Sequence, residues 1–222
     1  MNRMATLLTL LMGFAATHAD ANLIVNGSFE NPAVAAGSYM ENNIAGWTVV
    51  GGTVAVVSGT FSAECCVFPA EDGNQWVDLT GVTSNAVEGV EQAVSTTPGT
   101  LYTLSFYVGN VYDPTGIFGT TSTVDVKLGG INGTLLYVAT NNSTTTGTQV
   151  WTQFTTTFTA TASSTTLDFL NADPSNDNSN GLDNVVLTGN ASASAPEPSA
   201  VGFLLIGLGL FVWMRKRVAT SC

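Results

Sequence analysis

Thr100-Leu101-Tyr102-Thr103-Leu104-Ser105-Phe106-Tyr107-Val108-Gly109 is the stretch that decides the fold. Tyr102, Leu104, Phe106 and Val108 fall on one side of an extended chain, and Thr103, Ser105 and Tyr107 on the other. A period of two marks a strand with one face buried and one face wet. Working outward, comparable runs recur at short spacing, bounded by Gly, Asn, Asp and Pro. The pattern predicts strands over 22–25, 47–57, 75–79, 89–95, 102–108, 123–128, 134–139, 152–159, 166–171 and 182–187. The residues between the two ends of the chain are dense in Thr, Val, Gly, Ser and Asn, with few helix formers in series. No amphipathic helix of useful length interrupts them. About ten strands with turn signals between them predict an all-β sandwich.

Charge and histidine content narrow the chemistry. The whole chain carries a formal charge of −11. Lys127 is the only basic side chain between residues 20 and 189, against fifteen Asp and Glu. So acidic a domain repels nucleic acid and anionic lipid, which excludes nucleic acid as a partner. His18 is the only histidine, and it lies in the first twenty residues. The domain therefore offers no Ser-His-Asp triad, Cys-His pair or ordinary zinc site. Cys65 and Cys66 are adjacent; a vicinal disulfide, an intermolecular bridge and two free thiols are all open to them.

Both ends read as targeting segments. Arg3, the apolar centre Leu7 to Phe14, and small residues around Ala19 and Ala21 predict a signal peptide over 1–21. Residues 22–189 form the domain and the Ala-Ser alternation of 190–195 a linker. Pro196-Glu197-Pro198 then precedes an uncharged apolar run from Ala200 to Met214 and the basic cluster Arg215-Lys216-Arg217. As a helix the run would be about 22 Å long, short of the ~30 Å bilayer core, with its basic end on the cytoplasmic side.

In that order these features resemble a PEP-CTERM sorting signal over 196–222. The resemblance implies a membrane intermediate, processing near the triplet by an exosortase-type membrane enzyme, and delivery to the surface or matrix of a Gram-negative bacterium that makes exopolysaccharide. A second resemblance covers the domain. Asn26-Gly27-Ser28-Phe29-Glu30, Gly46-Trp47, Gly73 to Leu79, Val90-Glu91-Gln92, Pro98 to Phe106 and Leu182-Asp183-Asn184-Val185 are similar, in order, to the choice-of-anchor C domains. It implies a galactose-binding-like jelly roll. The segment Thr60 to Ala70, with both cysteines, has no counterpart in that pattern.

Candidate site residues come from two arguments. Trp76 and Asp78 alternate with Gln75, Val77 and Leu79 and so share a face. An exposed Trp76 beside Asp78 would stack on a sugar ring while the acid accepts its hydroxyls, with Tyr112 and Phe118 completing the platform. The competing reading packs Trp76 against the second sheet; Trp47 reads as core. The jelly-roll resemblance brings the first and last strands together and implies a structural calcium between Glu30 and Asp183, since Ca²⁺ takes hard oxygen ligands. The alternative there has Glu30 binding backbone N–H groups and Asp183 capping a turn. Asp173 to Gly181 lacks the closing Glu of an EF-hand loop and reads as a polar turn.

The expectation is an exported surface protein whose sandwich binds or organises exopolysaccharide or cell-wall glycan, without catalysis. The alternatives are a matrix or adhesion protein with no sugar site, and a carboxylate-based carbohydrate-active enzyme drawing on Glu71, Asp72, Asp78, Glu88 or Glu91.

Overall fold

The alternating stretch lies at the centre of a β-sandwich. In the computed structural model, residues 21–81, 87–174 and 177–189 are described. Residues 1–20 of the expected signal peptide, the expected linker, Pro196, Glu197, Pro198, Arg215, Lys216 and Arg217 lie outside them. The strands are β1 (Tyr39–Glu41), β2 (Thr48–Val50), β3 (Ala55–Ser58), β4 (Ser62–Ala63), β5 (Cys66–Val67), β6 (Gln75–Asp78), β7 (Gly89–Ser95), β8 (Leu101–Asn110), β9 (Ser122–Leu128), β10 (Thr134–Asn141), β11 (Val150–Thr159), β12 (Ser164–Asn171) and β13 (Gly181–Gly189). They form a six-stranded sheet, β1-β3-β6-β13-β8-β11, a five-stranded sheet, β10-β9-β12-β7-β2, and the small hairpin β4-β5. All the pairings within these sheets are antiparallel. The domain is an all-β jelly-roll sandwich.

Tyr102, Leu104, Phe106 and Val108 are buried as the alternation predicts. They meet Val124 and Val126 of β9 and Leu167 and Phe169 of β12, all fully buried, and Val56, Val77 and Leu182 join them from the six-stranded sheet. Each such side chain contributes about 1.5–3 kcal/mol of burial. Phe106 meets Phe169 edge-on at 5.3 Å, and Trp47 meets Phe169 at 6.0 Å. Trp47 is therefore core, with its indole N–H on the Asn26 carbonyl at 3.0 Å.

Two strand expectations are corrected. Residues 47–57 are not one strand. Gly51, at φ +77, turns the chain so that β2 joins one sheet and β3 the other. Residues 22–25 form no strand: they make one backbone bond to β13, Leu23 N to the Leu187 carbonyl at 2.9 Å, and side chains take the neighbouring positions. Asn22 Oδ1 accepts from Ile24 N at 3.0 Å and Leu187 N at 2.9 Å, and Gln92 Oε1 accepts from Val25 N at 2.8 Å. The two ends of the domain still meet, since Val185 N donates to the Gly27 carbonyl at 2.9 Å.

A second apolar cluster covers the outer face of the six-stranded sheet. It is built from Ala55, Val57, Trp76 and Val111 beneath Cys66, Phe68 and Phe118, with Phe61, Ala63, Ala70 and Trp151 packed against it. The Trp151 ring lies over Gly109, its cross-strand partner, and over Gly181, which pairs with Gly109 on the next strand. A β-carbon at either glycine would come within 2.9 Å of that ring. The bare backbone is what lets the indole lie flat, reaching Trp76 edge-on at 5.9 Å.

Candidate sugar-binding cleft

Cross-strand register fixes the outer-face geometry. Tyr39, Val57 and Trp76 form one row across β1, β3 and β6; Glu41, Ala55 and Asp78 form the next. The inserted segment Thr60 to Ala70 folds over the first row. Its Phe68 stacks on Trp76 at 6.1 Å, and Trp76 Nε1 donates to the Phe68 carbonyl at 3.1 Å. Trp76 is 1% exposed. The expected exposed platform is thus corrected. Trp76 faces away from the second sheet and is buried by the insertion instead.

Asp78 and Phe118, in contrast, are brought together. Both line a cleft of about 350 Å³ with Tyr39, Phe61, Glu64, Ile117 and Asn178. Tyr39, at 43% exposure, meets Phe61 edge-on at 6.0 Å. The 111–119 turn supplies the opposite wall. Asp113 N donates to the Gly119 carbonyl at 2.7 Å, and Asn178 N holds the Ile117 carbonyl at 2.9 Å. Asn178, within the segment read as a polar turn, therefore stands at the rim of the cleft. Tyr112 is half-buried and spends its backbone N–H on Thr145, away from the cleft, which corrects its expected place in the platform.

Asp78 Oδ1 accepts from Thr80 N at 3.0 Å, Thr80 Oγ1 at 2.8 Å and Asn180 N at 3.1 Å. Burial nevertheless pushes its carboxyl up to about 6. Asp177, behind it, is pushed up to about 7 by burial, with the Asp78 charge adding to the effect. Asp173 rises to about 8 through burial and the neighbouring Asp177 charge. One carboxyl faces the cleft, and burial favours the neutral form of the other two.

Glu30 and Asp183 approach the same loop, Glu71 to Gln75, from opposite sides. Glu30 Oε1 accepts from Asn74 N at 2.7 Å and Gln75 N at 2.9 Å. Asp183 Oδ2 accepts from Glu71 N at 2.9 Å and Asp72 N at 3.0 Å, while its Oδ1 accepts from Asn184 N at 2.7 Å. A register shift in β13 between Asp183 and Val186, with Asn184 at φ +47, accompanies this arrangement. A calcium needs six to eight oxygen ligands. Here the oxygens face N–H donors, so the pair does not fit a calcium cage. Among the described residues no group of three or more His, Cys, Asp or Glu is arranged to hold a metal. Burial pushes the Asp183 carboxyl up to about 8 against the pull of its three donors.

Sequence reasoning missed Tyr39, Phe61 and Ile117. The signal for Phe61 was its place in the segment with no counterpart, since an insertion that carries aromatics must cover or line something.

A family model described as a protein of unknown function, DUF642, matches residues 22–188. The chain belongs to the DUF642 family. No curated protein matches it. Among solved structures, the DUF642 domain is similar to Arthrobacter globiformis isomalto-dextranase in complex with panose, at 19% identity and a TM-score of 0.44. That likeness covers 68% of this chain and only 23% of the other. The xylan-binding domain from CBM 22 matches at 16% identity and a TM-score of 0.49, over 78% of this chain and 99% of that one. A family 16 carbohydrate-binding module matches at 26% identity and a TM-score of 0.45, over 75% and 99%.

Proposed function

We propose that this DUF642 domain is a glycan-binding module and not an enzyme, and that its site is the outer-face cleft. The observation that carries this reading is the company of groups there. Tyr39, Phe61, Ile117 and Phe118 offer apolar surface, and Asp78, Glu64 and Asn178 offer hydrogen-bond partners at its edge. A sugar ring has an apolar C–H face and a polar rim of hydroxyls, so it needs that combination. The volume lies at the small end of the ~300–1,000 Å³ typical of ligand sites, suited to a short stretch of a chain. The excess of acids over Lys127 disfavours a polyanion, so the ligand in this reading is a neutral stretch of exopolysaccharide or cell-wall glycan.

In the same reading the chain is exported through its signal peptide and sorted to the cell surface or matrix by an exosortase-type enzyme acting at Pro196-Glu197-Pro198. Affinity electrophoresis through gels containing neutral polysaccharides tests the binding. Retardation of the wild-type protein supports the reading, and equal mobility in every gel rejects it. Absence of new reducing ends during the same incubation supports a module without catalysis. The intact mass of surface-extracted protein tests sorting; a species that still carries Phe203 to Cys222 would reject it.

A further inference from the structure

The cleft wall contributed by Ala63 and Glu64 belongs to the hairpin whose adjacent cysteines are joined, Cys65 to Cys66. We propose that this vicinal disulfide is a site of thiol–disulfide exchange with a dithiol, and that its reduction releases the hairpin tip that walls the cleft.

Three observations carry the proposal. The first is access. Cys65 is exposed, whereas Cys66 is 3% exposed within the second apolar cluster. An incoming thiolate therefore reaches the Cys65 sulfur. The second is how short the backbone ladder beside the disulfide is. β4 and β5 are two residues each and share only two register pairs, Ser62 with Val67 and Ala63 with Cys66. So short a ladder is not stable alone, and Glu64 in its turn sits at φ +49, a region that side-chain-bearing residues avoid. The third is that the base of the hairpin is fastened independently. Val67 N donates to the Gly147 carbonyl at 3.1 Å, Gln149 N to the Val67 carbonyl at 2.9 Å, and Phe68 N to the Phe61 carbonyl at 3.1 Å. Opening the disulfide thus relaxes the constraint on the backbone at Glu64 to Cys66 and leaves the base in place.

The chemistry balances with a dithiol as reductant. Its thiolate attacks Cys65 Sγ, the Cys65–Cys66 bond breaks, and Cys66 leaves and takes up a proton. The second thiol of the reductant then attacks the mixed disulfide, forming the reductant's own disulfide and releasing Cys65 as a thiol. Two electrons and two protons pass to the protein. While joined, the two sulfurs must lie together; once separate, Cys66 can stay in the cluster while Cys65 swings to solvent, and Glu64 is no longer tied beside it. An oxidising exterior keeps the wall in place.

The inference uses the geometry of the cleft and not its ligand, so failure of the glycan reading would leave it standing. The test is limited proteolysis of the full chain with a glutamate-specific protease, followed by mass spectrometry, before and after dithiothreitol. Reduction is expected to raise cleavage after Glu64 at least tenfold and leave cleavage after Glu41, in β1, unchanged. The Cys65→Ser/Cys66→Ser double variant is expected to be cut rapidly at Glu64 with or without reductant. Unchanged cleavage at Glu64 on reduction would overturn the proposal. So would a parallel rise at Glu41, which reports general unfolding, or iodoacetamide labelling of Cys65 and Cys66 before reduction.

Discussion

The Trp76 indole N–H donates to the Phe68 carbonyl oxygen at 3.1 Å, which joins the inserted hairpin to the six-stranded sheet through a buried tryptophan. The outer face of that sheet is consequently a second small core with a cleft at its edge. The cleft's aromatic wall depends on it, because Phe68 also packs against Phe61 and Phe118.

Trp76→Ala should therefore act on stability. Removing a buried Trp costs about 3–5 kcal/mol. Urea unfolding of the variant should show a clear drop in midpoint; an unchanged midpoint would mean that Trp76 is not buried beneath the hairpin.

The flat seat of Trp151 predicts a coupled pair. Gly181→Ala should destabilise by about 1–3 kcal/mol, because the new methyl overlaps the indole. In a Trp151→Leu background the same change should cost much less. A double-mutant cycle with no coupling would contradict the contact.

Much of this was legible in the sequence. Gly89–Ser95 stands where the alternation puts it, and the long strands from β8 to β13 differ from expectation by one or two residues at their ends. Alternation reports burial on one face, which is why Tyr102 to Val108 read true. It cannot tell what covers the other face. Trp76 and Asp78 share a face as expected, but whether that face meets solvent was decided by Thr60 to Ala70, far off in pairing and without periodicity. Glu30 and Asp183 allowed two readings, a shared calcium or acceptors of backbone N–H groups, and the second is what the Glu71 to Gln75 loop shows. Which loop would supply the donors had no signature in side-chain identity.

Those two acids give a third prediction. Asp183→Ala leaves the Glu71 and Asp72 N–H groups without their acceptor, at about 1–3 kcal/mol of stability. Because the oxygens serve N–H groups, wild-type melting temperatures should agree in calcium and in chelator. A rise in calcium that Asp183→Asn abolishes would restore the metal reading.

Stability should also fall as pH rises. Asp78, Asp177, Asp173 and Asp183 stand at about 6, 7, 8 and 8, with burial the largest cause in each. Between the ordinary value of 3.8 and these values the folded chain holds protons that the unfolded chain has released. The folded state therefore loses ground from about pH 4 to about pH 8 and levels off above that. Urea midpoints at pH 5 and pH 8 check the sign; the higher midpoint is expected at pH 5, and the reverse order would contradict the burial of these carboxyls.

The central claim is that the outer-face cleft holds a neutral glycan. The most direct measurement is a glycan array probed in parallel with the wild-type protein and Tyr39→Ala. Tyr39 is exposed at the cleft, so its loss should remove stacking surface without unfolding the domain. The account predicts binding of the wild type to neutral oligosaccharides and a loss of about tenfold in Tyr39→Ala, equivalent to about 1.4 kcal/mol. No binding by the wild type, or equal binding by both proteins, would contradict it.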